Sequence, residues 1–185
     1  MKRLLRSVPG LRFSVSHTTR SARPGERDGH EYTFVSRRVF ERMLARDQFV
    51  EWAEVHGNLY GTSWRALRKA QAAGHDVLLD IDVQGHHQVR RRIPEAVSIF
   101  LLPPSFRELA RRLRRRHLDA PEVIDKRLAE ARREIRHWRE YDFLIVNDVI
   151  PRAQRALRTV VEAARFRRLG QQDRVRQIAK TFGGS

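Results

Sequence analysis

The chain has 185 residues and a formal net charge of +16, from 38 Lys and Arg against 22 Asp and Glu. This length favours one domain with a sizeable hydrophobic core. The absence of cysteine excludes a disulfide scaffold, thiolate metal ligands and cysteine nucleophiles. No apolar run approaches the roughly 18 residues of a membrane span, and the first residues lack a signal peptide's apolar stretch, which predicts a cytoplasmic protein without membrane association.

The positive charge is carried mainly by arginine, whose planar guanidinium group pairs with phosphate and carboxylate. The excess suits an anionic partner, but a GC-rich genome or a solubilising surface explains it equally well. No nucleic-acid-binding motif or aromatic stacking platform is visible. We therefore expect only nonspecific, salt-sensitive association with nucleic acid. The sequence leaves the oligomeric state open.

The first half of the chain is predicted to contain short strands and two helices. Strands are predicted over 11–16, 30–35 and 49–60, the last two with half-exposed alternation. Ser36 is expected to cap one helix, and a second runs over 63–73 and stops at Gly74. The strands between 30 and 60 predict a small antiparallel lobe.

After Gly74, apolar runs alternate with helical patterns. Buried strands are predicted over 76–82, 97–102 and 143–147, and helices over 105–116, 121–139 and 151–167. This alternation indicates the α/β class, with a parallel sheet flanked by helices on both faces. The polar residues 171–185 are expected to form a frayed C-terminal tail.

The loop 14–26 places hydroxyl groups and two arginines directly after the first predicted strand, where open α/β sheets bind ligands. Arg20 and Arg23 are three residues apart and can clamp one phosphate from two sides. Taken alone, a solvated polar loop is the simpler interpretation.

Seven segments together resemble the signature of guanylate kinases, in order and at family spacing over residues 12–168. These segments are 14–26, 29–35, 51–53, 57–63, 80–85, 100–105 and 145–148. Each is weak alone, but the combination is highly specific. The resemblance implies a nucleoside monophosphate kinase fold of the P-loop class in one domain over 1–170, with a GMP-binding lobe at about 30–62, a lid at about 111–125 and the tail at 171–185.

The resemblance also implies an activity, the transfer of the γ-phosphoryl group of ATP to GMP, with Mg²⁺ accompanying ATP. The implied ligands of the GMP phosphate are Arg20, Arg23, Tyr32 and Tyr60, with Glu26 orienting the two arginines. The implied ligands of guanine are Ser16, Glu51, Thr62 and Asp82. Guanine presents two adjacent N–H donors beside an acceptor oxygen, which suits a carboxylate and a hydroxyl. Adenine reverses the donors and acceptors on this edge, so a site of this kind can discriminate GMP from AMP by about 10⁴-fold.

Further implied residues belong to the ATP side. Asp80 is implied both as a GMP-binding residue and as a residue that contacts Mg²⁺ through water, so that the metal has no direct protein ligand. Asn147 would lie near the adenine of ATP. Arg116 and Arg127 match the arginines that act on the transferring phosphoryl group, together with Arg23. The other arginines of 111–116 are expected to form a solvated face or to pack their stems over apolar surface. The lack of glycine around Arg116 predicts a stiffer or differently hinged lid.

Simpler structural interpretations of these residues stay open. Asp80 and Asp82 can be strand-terminal caps, and Glu51 and Tyr60 can be surface residues on half-exposed strands.

The 185 residues contain no G-x-x-x-x-G-K-[ST] phosphate-binding loop and no strand before it, whereas residues 2–6 look like the helix that follows such a loop. Either the true start lies upstream of Met1 or the lineage lost the loop. The first is favoured, because losing a central strand leaves its neighbours' backbone groups unpaired. As written, the chain is expected to bind GMP weakly and to transfer phosphate poorly or not at all. The alternative function is a catalytically impaired module that binds GMP or a phosphopeptide.

Overall fold

The computed structural model describes residues 2–55, 57–115 and 120–183. They form two compact units, Met1–Ala96 and Val97–Ser185. The single domain predicted over 1–170 stays a prediction.

The N-terminal unit contains a parallel strand pair and a four-stranded sheet. Its elements are α1 (Lys2–Ser7), β1 (Leu11–Phe13), β2 (His17–Thr18), β3 (Thr33–Phe34), α2 (Arg37–Ala45), β4 (Phe49–Val55), β5 (Asn58–Ser63), α3 (Trp64–Ala72), β6 (Asp76–Leu78) and α4 (Val83–Arg92). β1 pairs with β6 in parallel, and the larger sheet has the order β3-β2-β5-β4. The β2–β5 and β4–β5 pairs are antiparallel, whereas β2–β3 is parallel, so the predicted antiparallel lobe is a mixed sheet.

The predicted cap at Ser36 is present, and Ser63 caps the next helix in the same way. Ser36 accepts a hydrogen bond from the N–H of Val39 at 3.3 Å at the start of α2, and Ser63 accepts one from Ala66 at 3.3 Å at the start of α3. Each hydroxyl satisfies a backbone donor that has no partner within its own helix. Gly74 follows α3 with φ of 74°, a left-handed conformation that ends a helix.

The start of β4 is more buried than its alternating sequence predicts, because helices cover both faces of the sheet at this point. Phe49 stacks on Phe40 of α2 with ring centroids 4.3 Å apart. The next residue, Val50, belongs to a separate cluster with Leu67 of α3 and Val89 of α4. The half-exposed alternation predicted over 49–60 fails at Phe49 and Val50, which are both buried, and is present from Glu51 onward, where Trp52 and Glu54 are exposed.

The C-terminal unit contains a second parallel pair and four α-helices in its described part. Its elements are β7 (Ile99–Leu102), α5 (Phe106–Arg115), α6 (Pro121–Glu134), a 3₁₀ helix (Ile135–Glu140), β8 (Phe143–Val146), α7 (Ile150–Ala164) and α8 (Arg168–Thr181). β7 pairs with β8 in register from Ile99 opposite Phe143. α5 and α6 pack through a small core of Ala110, Leu113, Ile124 and Leu128.

Several strands are shorter and less buried than predicted. The strand predicted over 76–82 ends at Leu78, and those over 11–16 and 30–35 shrink to three and two residues. In β8, Leu144 is 44% exposed and Val146 is 48% exposed. Buried strands are expected in a wide sheet with helices on both faces. β7 and β8 form a two-stranded sheet, which leaves much of its side-chain surface uncovered.

The frayed tail predicted over 171–185 is wrong for most of its length, because α8 runs to Thr181. The side-chain amide of Gln171 donates to the carbonyl of Arg165 at 2.7 Å and ties the start of this helix to the end of α7. Arg, Gln, Lys and Ala predominate here, and all favour helix. Within the described residues, no helix is both long and apolar enough to cross a bilayer.

Candidate functional site

Arg20 and Glu26 organise the loop that follows β2. The Nη2 atom of Arg20 lies 2.9 Å from Oε1 and 3.0 Å from Oε2 of Glu26. Glu26 Oε2 also accepts the backbone N–H of Arg23 at 2.7 Å. The hydrogen bond from Arg20, followed by that from the Arg23 backbone, lowers the pKa of Glu26. Glu26 thus holds the guanidinium of Arg20 and the main chain of Arg23.

Two tyrosines join this ion pair. The guanidinium carbon of Arg20 lies 5.4 Å from the ring centre of Tyr32, and the rings of Tyr32 and Tyr60 meet edge to face at 5.8 Å. The hydrogen bond to Glu26, and less strongly one to Tyr60, raises the pKa of Arg20. The β2–β5 register, which pairs Thr18 with Tyr60, brings these side chains together. Three of the predicted phosphate ligands therefore form one cationic and phenolic cluster.

The predicted guanine ligands meet on the β4–β5 hairpin. Glu51 is 5% exposed and faces Thr62 in the strand register, and its Oε1 accepts the Thr62 N–H at 2.9 Å. The hydroxyl of Ser16 lies 3.4 Å from that of Thr62. Burial raises the pKa of Glu51, hydrogen bonds from Thr62 oppose the shift, and the charge of Asp82 adds to it. The interpretation of Glu51 as a surface residue is wrong, and Tyr60 is half-buried.

Asp82 is a helix cap, as the structural interpretation of this residue predicted. Its Oδ1 accepts the N–H of Gly85 at 2.8 Å at the start of α4, and its Oδ2 accepts from Gln84 at 3.3 Å. The cap brings the first turn of α4 against Glu51, so that a Cβ on Gly85 would lie 2.9 Å from Glu51 Oε2. The role of Asp82 toward guanine stays a prediction.

Asp80 lies two residues beyond the end of β6 and is exposed. Its charge is one of those that raise the pKa of Tyr32, after burial and the charge of Tyr60. Asp80 therefore lies on the side of the N-terminal unit that carries the tyrosine cluster.

Asn147 lies in the C-terminal unit, in the turn after β8. Its N–H donates to the carbonyl of Leu102 at 2.6 Å. Arg112 holds the same turn, because Nη1 donates to the carbonyl of Asn147 at 2.8 Å and Nη2 to that of Asp148 at 3.2 Å. The side-chain oxygen Oδ1 of Asn147 is buried and has no hydrogen-bond partner among the described residues.

Glu108 anchors Arg112 from the preceding turn of α5. Arg112 Nε donates to Glu108 Oε1 at 2.7 Å, and Arg111 donates to both oxygens at 2.7 Å. Hydrogen bonds from Arg111 and Arg112 lower the pKa of Glu108 to about 2. Of the arginines predicted to form a solvated face, Arg111 is 59% exposed, whereas Arg112 is partly buried and holds the turn that carries Asn147.

The two predicted lid arginines differ in what the structure describes. Arg127 lies half-buried on α6 in the C-terminal unit. Arg116 lies outside the described residues, as does part of the lid predicted over 111–125. Their catalytic roles, and that of Arg23, stay predictions.

The comparisons with known proteins decide the family. The family model described as Guanylate kinase matches residues 1–164, which is most of the chain. The chain belongs to the guanylate kinase family. It is 51% identical over 164 residues to the guanylate kinase of Dechloromonas aromatica (strain RCB), covering 89% of this chain and 81% of that protein. It is 52% identical over 168 residues to the guanylate kinase of Rhizobium meliloti (strain 1021), covering 90% and 77%.

A solved structure supports the fold. The crystal structure of guanylate kinase from Anaplasma phagocytophilum superposes with a TM-score of 0.75 at 36% identity, covering 90% of this chain and 80% of that one. The α/β class and the parallel, helix-flanked strands predicted from the sequence are therefore confirmed.

Sequence reasoning assigned no individual role to two residues that adjoin the candidate site, Gly85, which belongs to the matching segment 80–85, and Gln88. Gly85 is inside a helix, where glycine costs about 1 kcal/mol relative to alanine, and that cost is a signal of a close approach. Gln88 carries no such signal. Its side chain hydrogen-bonds the main chain of β4, a contact visible only in the folded chain.

Proposed function

We propose that this guanylate kinase family member transfers the γ-phosphoryl group of ATP to GMP and forms ADP and GDP. The observation that carries the proposal is the buried carboxylate of Glu51 on β4, in the same sheet as Tyr60, which belongs to the cluster of Arg20, Tyr32 and Tyr60. The Glu51 carboxylate is suited to a base with two adjacent N–H donors, and the cluster of Arg20 and the two tyrosines is suited to a phosphate. One nucleoside monophosphate, GMP, has both groups.

Guanine recognition would depend on a carboxylate that is kept out of water. Glu51 is almost fully buried, so each hydrogen bond it accepts counts for more than at a surface. Guanine N1–H and its exocyclic amine can both donate to one ionised carboxylate, while the hydroxyl of Ser16 or Thr62 donates to the guanine oxygen. Adenine would leave the buried carboxylate without these donors, and AMP would be rejected.

Phosphate recognition would depend on Arg20, which is held in place before the ligand arrives. Its ion pair with Glu26 and its packing on Tyr32 fix the guanidinium in one orientation, so little side-chain entropy is lost on binding. Arg23 would supply a second cation from the same loop, and the hydroxyls of Tyr32 and Tyr60 would complete the phosphate shell.

The ATP side of the proposal depends on separate residues. Asp80 is an exposed carboxylate just past β6, a hard oxygen donor of the kind that Mg²⁺ usually contacts through water, so this residue fits such a contact. When bound, Mg²⁺ would neutralise charge on the phosphates of ATP. Asn147 would contact adenine through its buried Oδ1, and Arg116 and Arg127 would stabilise the charge of the transferring group. A cytoplasmic location is part of the proposal and rests on the sequence alone.

The test is GMP-dependent ADP formation from ATP, measured with GMP and with AMP as acceptors. These 185 residues contain no G-x-x-x-x-G-K-[ST] loop to hold the β- and γ-phosphates, so the expected rate is low and the acceptor dependence is the informative quantity. GMP should stimulate ADP formation, AMP should not, and Glu51→Gln should abolish the preference. Equal stimulation by both acceptors would contradict the proposal, as would displacement of GMP by a phosphopeptide without any turnover.

A further inference from the structure

Gln88 of α4 hydrogen-bonds the main chain of β4 on both sides of one residue. The side-chain oxygen of Gln88 accepts the N–H of Trp52 at 3.1 Å, and its side-chain nitrogen donates to the carbonyl of Trp52 at 2.7 Å. β4 is the last strand of the sheet order β3-β2-β5-β4, so this edge has no neighbouring strand among the described residues. The amide of Gln88 makes the two bonds that a paired strand would make to Trp52.

A second side chain of α4 extends this arrangement. Arg92 Nη1 donates to the carbonyl of Phe49 at 2.8 Å, three residues before Trp52 in β4. The buried side chain of Val89 packs against Val50 between these two contacts. α4 therefore holds the edge of β4 at two main-chain points on either side of an apolar contact.

The consequence for the guanine site comes from the neighbour of Trp52. Glu51 directly precedes Trp52, and its Oε2 lies against Gly85, one turn before Gln88 on the same helix. The spacing between α4 and β4 therefore decides where the Glu51 carboxylate lies. We propose that Gln88 is a positioning residue for Glu51, fixing the β4 main chain against α4 so that the carboxylate meets the guanine edge. The part of this proposal that concerns guanine rests on the function proposed above.

The choice of substitution follows from the surroundings of Gln88. It lines an open cavity of about 550 Å³ together with Trp52, Gln84 and Arg91. Water from this cavity can replace a deleted side chain, so an alanine would understate its role. Gln88→Met keeps the length and volume of the side chain and removes both hydrogen bonds. Gln71→Met, the same change at an exposed position of α3, is the matched control.

The first readout is amide hydrogen exchange by NMR, which needs no ligand. The N–H of Thr62 donates to Glu51 and reports the position of that carboxylate, while Phe40 in α2 reports the stability of the unit. In Gln88→Met we expect exchange at Thr62 to be about 3- to 10-fold faster, with no change at Phe40. Thr62 protection equal to that of the Gln71→Met control would overturn the proposal, whether or not GMP binds.

The second readout compares the affinities of GMP and inosine monophosphate, which lacks the exocyclic amine of guanine. Inosine monophosphate can make one of the two bonds to Glu51, so it depends less on the carboxylate's position. We expect Gln88→Met to weaken GMP binding about 5- to 30-fold and to lower the GMP-to-IMP affinity ratio. An unchanged ratio would overturn the proposal. Failure of the unsubstituted chain to prefer GMP would instead contradict the function proposed above, and the exchange of Thr62 would still decide the role of Gln88.

Discussion

Glu51 and Gly85 lie in contact across the β4–α4 interface. A Cβ built on Gly85 would stand 2.9 Å from Glu51 Oε2 and 3.0 Å from the Cβ of Ile81. Real Cβ atoms essentially never approach this closely, so any larger residue at position 85 must displace something. The end of the Glu51 side chain can move, whereas the backbone of α4, capped by Asp82, is held. The glycine therefore provides the space in which the proposed guanine-reading carboxylate lies.

Gly85→Ala should weaken GMP binding on the order of 10- to 100-fold, because the methyl group pushes the carboxylate away from the guanine edge. Calorimetric titration with GMP measures the effect. A double-mutant cycle with Glu51→Ala is the control for stability. The cost of Gly85→Ala in unfolding free energy should be smaller when the glutamate is absent. Wild-type affinity for GMP in Gly85→Ala would contradict this account of the contact.

Arg20→Lys should weaken GMP binding on the order of 10- to 100-fold. A lysine ammonium cannot keep the Glu26 contact and present a planar pair of donors to phosphate. Arg27→Lys, in the same exposed loop, is the matched control and should leave the affinity unchanged. Guanosine, which has no phosphate, separates the two halves of the site. Its affinity should be the same in both variants, and an equal loss for guanosine and GMP in Arg20→Lys would contradict the assignment of Arg20 to the phosphate.

GMP binding should weaken as the pH falls, beginning above the ordinary glutamate pKa of 4.5. Burial raises the pKa of Glu51, and only the ionised carboxylate accepts both guanine donors. The phosphate of GMP also titrates near pH 6, so the comparison is with Glu51→Gln, in which the phosphate contribution is identical. The difference between the two pH profiles should carry the Glu51 titration, and superimposable profiles would contradict it.

The raised pKa of Glu51 also determines the direction in which the free energy of unfolding changes with pH. Between pH 4.5 and the raised folded-state pKa, the folded chain binds more protons at Glu51 than the unfolded chain does. The free energy of unfolding should therefore decrease as the pH rises through that window, and Glu51→Gln should remove this part of the slope. Urea unfolding at several pH values measures it.

Arg112→Gln should destabilise the C-terminal unit by about 1–3 kcal/mol, because the carbonyls of Asn147 and Asp148 lose a charged donor. Arg111→Gln is the matched control. Arg111 contacts the same Glu108, but it is 59% exposed and should change stability less. Thermal unfolding compares the two, and amide exchange at Asn147 should accelerate only in Arg112→Gln. Equal effects of the two substitutions would show that Arg112 does not hold the turn.

The parts of the fold that depend on local chemistry were predictable from the sequence. The cap at Ser36 and the break at Gly74 each follow from one residue and its neighbours. The proposed site was found because the family's motif residues occur here in order. The structure brings Arg20, Tyr32, Tyr60 and Glu26 together, and separately Ser16, Glu51 and Thr62.

The parts that depend on tertiary contacts were not predictable. The burial of both Phe49 and Val50 results from helices on the two faces of β4, and alternation in one strand cannot show a second covering helix. The exposure of β8 reflects its pairing with β7 alone among the described strands. The contact between Gln88 and Trp52 joins residues that are 36 positions apart in the chain. The structural role of Asp82 is compatible with the family motif, so the motif alone does not distinguish a cap from a ligand.

The most direct test of the central claim is calorimetric titration of the chain with GMP and with AMP under identical conditions. Recognition by the buried Glu51 and the Arg20 cluster predicts that GMP binds and that AMP binds at least about 100-fold more weakly, since adenine leaves the carboxylate unpaired. Equal affinities for GMP and AMP would show that Glu51 does not read the base and would contradict the assignment of this site to GMP.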